Sequence, residues 1–216
     1  MPYYLPIVAA LDVVSAVAAL AVAYAAYRYN RLLSGSIPLF LGLSFSLLGL
    51  GLLLQGILAF LLFVRPGLEY ARLFMVSSYL YSFLQVVAYL ILAVGYTGIT
   101  YSSYAPEEQL QVLVVPAAFA PPALRRALLV NPTFFDSVQL VSIFLLALVL
   151  FDAVQIRSRS SFSGTVMGAF SLMLAGHAVM LAYPMGFLNY YLVGDLLRFL
   201  GFLLLLVFLL RGRHVA

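Results

Sequence analysis

The chain has 216 residues, of which 65% are hydrophobic and only 8% charged, and its mean hydropathy is +1.12, a composition that excludes an ordinary soluble domain. Its 11 basic residues are all Arg and it has no Cys, which removes a lysine Schiff base to retinal or pyridoxal phosphate, disulfides, thiolate metal sites and Cys nucleophiles. The net charge of +4 fits topology and lipid headgroups, and no basic run is dense enough for nucleic acid.

A helix needs about 20 mainly apolar residues to cross a bilayer, and lipid requires backbone polar groups to be satisfied within the structure. Long apolar runs without the alternation of barrel strands predict an all-α, polytopic transmembrane helix bundle, a single integral membrane domain over residues 1–216. Met1-Pro2-Tyr3-Tyr4 lacks the positive start of a signal peptide, so the first span is expected to remain in the mature protein.

The first predicted span, Leu5 to Tyr27, is Ala-rich, with Ala9, Ala16 and Ala23 seven residues apart, a stripe suited to close helix packing. It carries Asp12. Arg28 and Arg31 mark a loop ending at Ser34-Gly35-Ser36. The second span, Ile37 to Val64, repeats the spacing with Gly42, Gly49 and Gly56, and Gln55 is its strongly polar interior residue. Arg65-Pro66-Gly67 turns the chain into the third span, Leu68 to Tyr96, with Glu69 and Arg72 at its start and Gln85 near its middle.

The segment from Thr97 to Gln109 is polar, and Leu110 to Leu124 is apolar but short and interrupted by Pro116, Pro121 and Pro122; a kinked span, a re-entrant piece and a surface helix all fit it. A further span runs from Thr133 to Ile156, with Asp136 and Asp152 near its ends, where water is expected to reach them. Arg157, Arg159 and Ser163-Gly164-Thr165 lead to the span Gly164 to Tyr183. There Gly164 and Gly168 form a G-x-x-x-G packing pair, and His177 lies in the second half. The last span, Phe187 to Leu210, carries Asp195 and Arg198 and ends at Arg211 and Arg213.

The positive-inside rule gives the same inner count, six Arg, for six spans and for seven. An internal echo separates them. Phe45-Ser46-Leu47-Leu48-Gly49-Leu50-Gly51 resembles Phe170-Ser171-Leu172-Met173-Leu174-Ala175-Gly176, each after an Arg-bearing loop with a Ser-Gly turn, and Leu80-Tyr81-Ser82-Phe83-Leu84 matches Leu196-Leu197-Arg198-Phe199-Leu200. Two like-oriented three-helix units need an odd number of crossings between them. The sequence therefore predicts seven spans in a 3+1+3 parallel-repeat plan, with 1–96 the first unit, 97–131 the linking span and 132–216 the second unit, N-terminus out and C-terminus in.

The run Gly194-Asp195-Leu196-Leu197-Arg198-Phe199-Leu200-Gly201-Phe202, with Phe170-Ser171-Leu172-Met173, resembles seven-helix membrane proteins of archaea, some of them similar to input modules of sensory proteins. The resemblance covers the last third of the chain and implies a fold without assigning an activity. The plan also parallels small sugar transporters with three-helix repeats, although their Pro-Gln signature is missing.

Ionisable groups inside a membrane are expensive, about 2.5–3.5 kcal/mol at a helix centre on insertion scales, and single out Asp12, Asp195 and Arg198, with Gln55 and Gln85 as uncharged companions. Asp195 and Arg198, three apart, read either as an ion pair that locks a helix into the bundle or as a substrate or proton site, with Asp12 joining if the first and last spans touch. His177 has Met173 and Met180 on the same helix face, which suits a soft metal or a b-type haem; the bland alternative is a hydrogen-bonded core His with Met as filler. Ser161 to Gly168 resembles the serine motif of rhomboid proteases, but the last span lacks the accompanying His, so Ser163 reads as a helix cap. Tyr3, Tyr4, Tyr24, Tyr27, Tyr101, Tyr104, Tyr183 and Tyr190 fall near span ends as interfacial anchors.

These features lead to the expectation of a non-enzymatic multi-pass protein of the cell membrane, a subunit, anchor or sensor module without metal or cofactor. Its partners would be the lipid bilayer and other membrane proteins or further copies of itself. A small-solute or ion transporter using the Asp/Arg site is the alternative, and a haem electron carrier a third.

Overall fold

The computed structural model describes residues 5–33, 36–102, 132–157, 164–181 and 188–212. They form six helices: α1 (Leu5–Leu33), α2 (Ser36–Val64), α3 (Leu68–Ser102), α4 (Pro132–Arg157), α5 (Gly164–Met180) and α6 (Leu188–Gly212). Five are long and apolar enough to cross a membrane, and α5, with 17 residues, is apolar but shorter. That is the make-up of a multi-pass helical membrane protein. The predicted span Leu110 to Leu124 lies outside the described residues.

Two helices outrun their predicted ends for the same reason. Nothing between Arg28 and Leu33 breaks a helix, so α1 continues through Arg28 and Arg31, which the sequence places in a loop. Exposed Arg28 holds its guanidinium 5.8 Å from the Tyr24 ring centroid, within range of a cation–π contact. Likewise α3 runs past Tyr96 to Ser102. Pro66 enforces the stop between α2 and α3, since it disfavours helical backbone at Arg65 and has no N–H to donate. Two serines within α2 and α3 satisfy themselves locally: Ser46 donates to the Gly42 carbonyl and Ser82 to the Ser78 carbonyl, each at 2.8 Å.

Each helix packs mainly on its neighbours in sequence, and α6 closes on α1, so the six make a ring. Direction follows from paired residues. Along α1 and α2, Gly56 faces Asp12 and Val13, Gly49 faces Leu20, and Gly42 faces Ala23, so these helices are antiparallel. Along α3 and α4 the pairs rise together: Tyr79 stacks on Phe135 (centroids 5.6 Å), Gln85 donates to Ser142 at 2.9 Å, and Thr97 donates to Asp152 at 2.6 Å. Hence α3 and α4 are parallel. By the same test α1, α3, α4 and α6 run one way, and α2 and α5 the other. The interior is mostly Ala, Leu and Val, and its largest buried side chains are aromatic rings, with Phe45 edge-on to Phe202 at 5.4 Å and Phe170 edge-on to Tyr96 at 5.6 Å.

Candidate functional site

Where α6 meets α1 inside the ring, Asp12, Asp195 and Arg198 come together with exposures of 2%, 3% and 3%. Arg198 lies 3.4 Å from the Asp195 carboxylate, one helical turn back on α6. It also donates to the Tyr81 hydroxyl from α3 and reaches the Met180 sulfur of α5 at 3.8 Å. Tyr191 hydrogen-bonds Asp195 from the preceding turn. Asp12 is close enough to be repelled by Asp195 and attracted by Arg198. Among the described residues, Asp12 Oδ2, Asp195 Oδ2 and Arg198 Nε have no hydrogen-bond partner. Such orphaned groups are costly in an apolar interior, about 1–3 kcal/mol each for a neutral group and more for a charged one.

Glycines set this geometry. A Cβ on Gly176 would stand 2.6 Å from the Gly194 carbonyl oxygen, and one on Gly194 would stand 2.7 Å from the Gly176 carbonyl oxygen, so α5 and α6 touch backbone to backbone. His177 and Asp195 are the next residues along. A Cβ on Gly56 would stand 3.1 Å from the Asp12 Cβ, so that glycine admits Asp12 to the interior. In each case the close approach lies beside the polar group.

Next to the charged seam, fully buried His177 uses both ring nitrogens: Nε2 pairs with the Tyr89 hydroxyl at 2.8 Å and Nδ1 with Gln139 Oε1. Because the Gln139 oxygen only accepts, Nδ1 carries the proton and Nε2 accepts from Tyr89. Met173 and Met180 are buried on the same helix. Ligation of a metal or haem by His177 would require breaking one of these two bonds, so the geometry favours the hydrogen-bonded core His. No group of three metal-binding side chains occurs among the described residues.

The remaining sequence candidates are distributed around this centre. Gln85 bridges α3 to α4 through Ser142. Gln55 is buried on α2, its Oε1 without a partner among the described residues. Asp152, expected to meet water, is instead buried and accepts from Thr97, because α3 extends far enough to cover it. Gly42, Gly49 and Gly56 face α1, on which Ala9, Ala16 and Ala23 are buried. Gly164 is exposed, and a Cβ on Gly168 would meet nothing within 4 Å. The tight contacts of α5 with α6 are made instead by Gly176, Gly194 and Gly201.

Sequence reasoning did not single out Tyr81, Tyr89, Gln139 or Tyr191. The signal was present for two of them: Tyr81, Gln85 and Tyr89 recur every fourth residue in mid-span, one stripe of a helix, far from where interfacial anchors belong. No protein-family model matches this chain, and no curated protein or solved structure is significantly similar to it.

Proposed function

We propose that this is a seven-span protein of the cell membrane, built on the 3+1+3 plan, that moves a small solute or ion through a non-enzymatic cycle centred on Asp12, Asp195 and Arg198. The observation that carries the reading is the position of the charges. Asp12 belongs to the first three-helix unit, and Asp195 and Arg198 to the second, with Tyr81 and Tyr89 of the first unit and His177 of the second around them. A membrane interior tolerates ionisable groups at substrate and ion pathways, and a seam between repeats is where rocking of one unit against the other opens a site to either side. Parallel α3 and α4 support the plan, which calls for an odd number of crossings between them. The exchange of rings also supports it: Phe45 of the first unit meets Phe202 of the second, and Phe170 of the second meets Tyr96 of the first.

The chain contains no Cys, so single cysteines report without background. Ser15→Cys, one turn from Asp12 and buried, is expected to react with a small membrane-impermeant thiol reagent in sealed vesicles, more slowly than exposed Arg28→Cys. Labelling of Arg28→Cys with none of Ser15→Cys from either side would rule out an opening centre.

The tightness of the glycine contacts favours a second reading, a membrane subunit, anchor or sensor module working through partners. Backbones in contact at Gly176 and Gly194 suit a rigid bundle that passes small displacements to a neighbour. Lack of Ser15→Cys labelling, with a protein partner co-purifying in mild detergent, would favour it.

A further inference from the structure

The charges at the seam do not balance: two carboxylates, Asp12 and Asp195, face one guanidinium, Arg198, and all three are buried. A net negative charge inside an apolar bundle is strongly disfavoured. We propose that Asp12 and Asp195 hold one exchangeable proton between them, which makes the seam a proton-binding site. This deepens the transport reading by naming the ion, and proton binding is measured apart from transport.

Three features point to a proton as the missing positive charge. First, the facing groups are already engaged. From α3, Tyr81 accepts from Arg198 and Tyr89 donates to His177; from α5, Met180 contacts Arg198 and His177 is held at both nitrogens; from α6, Tyr191 bonds Asp195. On α2 the facing residue is Gly56. None of these neutralises Asp12, whose Oδ2 has no partner among the described residues, as is true of Asp195 Oδ2. Second, Asp12 and Asp195 lie within electrostatic reach of each other in the buried interior, where a proton on either carboxyl relieves the repulsion of like charges. Third, a metal cation needs several oxygen ligands, and among the described residues no group of three or more metal-binding side chains gathers at the seam.

Infrared difference spectroscopy of the purified full chain, titrated from mildly acid to mildly alkaline pH, tests this. The native protein is expected to show the carbonyl band of one protonated carboxyl in a dry setting. Asp12→Asn and Asp195→Asn should each lose it, because either leaves one carboxylate balanced by Arg198. Asp136→Asn, at a half-buried position on α4, should keep it. If Asp12→Asn does not fold, Asp12→Glu must show the band at a shifted frequency. Absence of the band from the native protein, or its persistence in both Asn variants, overturns the proposal. So does a rise in unfolding temperature that is specific for sodium over choline and requires Asp12, which would assign the site to an alkali cation. A band that behaves as expected in a protein whose vesicles show no pH-dye response to an imposed potential supports the proton site and counts against transport of that proton.

Discussion

Arg198 is the residue on which the interior depends, since it alone among the described residues offers a buried positive charge to the carboxylates of α1 and α6. Removing one member of a buried pair strands the other, typically at about 3–5 kcal/mol. Arg198→Ala should therefore lower the unfolding temperature in detergent far more than the double change Asp195→Asn with Arg198→Gln, which leaves no unpaired charge on α6. Equal stability of Arg198→Ala and the native protein would mean that the guanidinium is solvated. A smaller loss is expected for Tyr81→Phe, which deletes only the acceptor for Arg198, on the order of 1.5–3 kcal/mol for a hydrogen bond to a charged group. The charged residues were legible in the sequence because a charge in an apolar run has no innocuous explanation. The tyrosines were not, because an aromatic hydroxyl is at home at any membrane interface and only its depth along the helix says otherwise.

At the scale of helices, the packing glycines divide by what a side chain would meet. At Gly194 an added Cβ meets the backbone oxygen of Gly176, which cannot move aside without separating α5 from α6. At Gly49 the nearest atoms belong to the Leu20 side chain, which can change rotamer. Gly168 meets nothing, and Ala is preferred to Gly inside a helix by about 0.8–1.0 kcal/mol. Gly194→Ala is thus expected to destabilise by roughly 1–3 kcal/mol through overpacking. Gly49→Ala should cost less, and Gly168→Ala should be neutral or stabilising, in thermal unfolding of the three variants side by side. A Gly168→Ala loss as large as that of Gly194→Ala would show that α5 packs differently. The seven-residue glycine spacing on α2 was informative because a whole stripe has one direction. The G-x-x-x-G pair on α5 misled because no neighbour comes within 4 Å of a Cβ on Gly168, although α6 reaches the Ala169 carbonyl beside it through Gly201, whereas the close contact of Gly176 with Gly194 joins two helices that no local motif pairs.

For the whole molecule, the decisive relation is that α3 and α4 are parallel, which no local pattern in the sequence states. Helix positions were legible, since apolar length and the Pro-Gly turn at Pro66 and Gly67 mark them, and the observed helices begin within one or two residues of the predicted spans. Their directions were open, because the Arg counts are tied and the linking segment is broken by prolines. Two parallel helices in sequence have their facing ends on opposite sides of the membrane, so an even number of crossings between them would leave the chain on the wrong side. The 3+1+3 plan therefore expects a reporter active only in the cytoplasm to be active when fused after Pro106 and also after Ala216, and silent when fused at Gly67 between α2 and α3. Activity at Ala216 with silence at Pro106 would put the end of α3 and the end of α6 on opposite sides. Since these helices run the same way in the bundle, that result would refute the seven-span plan, and with it the placement of Asp12 and Asp195 on opposite sides of a seam between two like units.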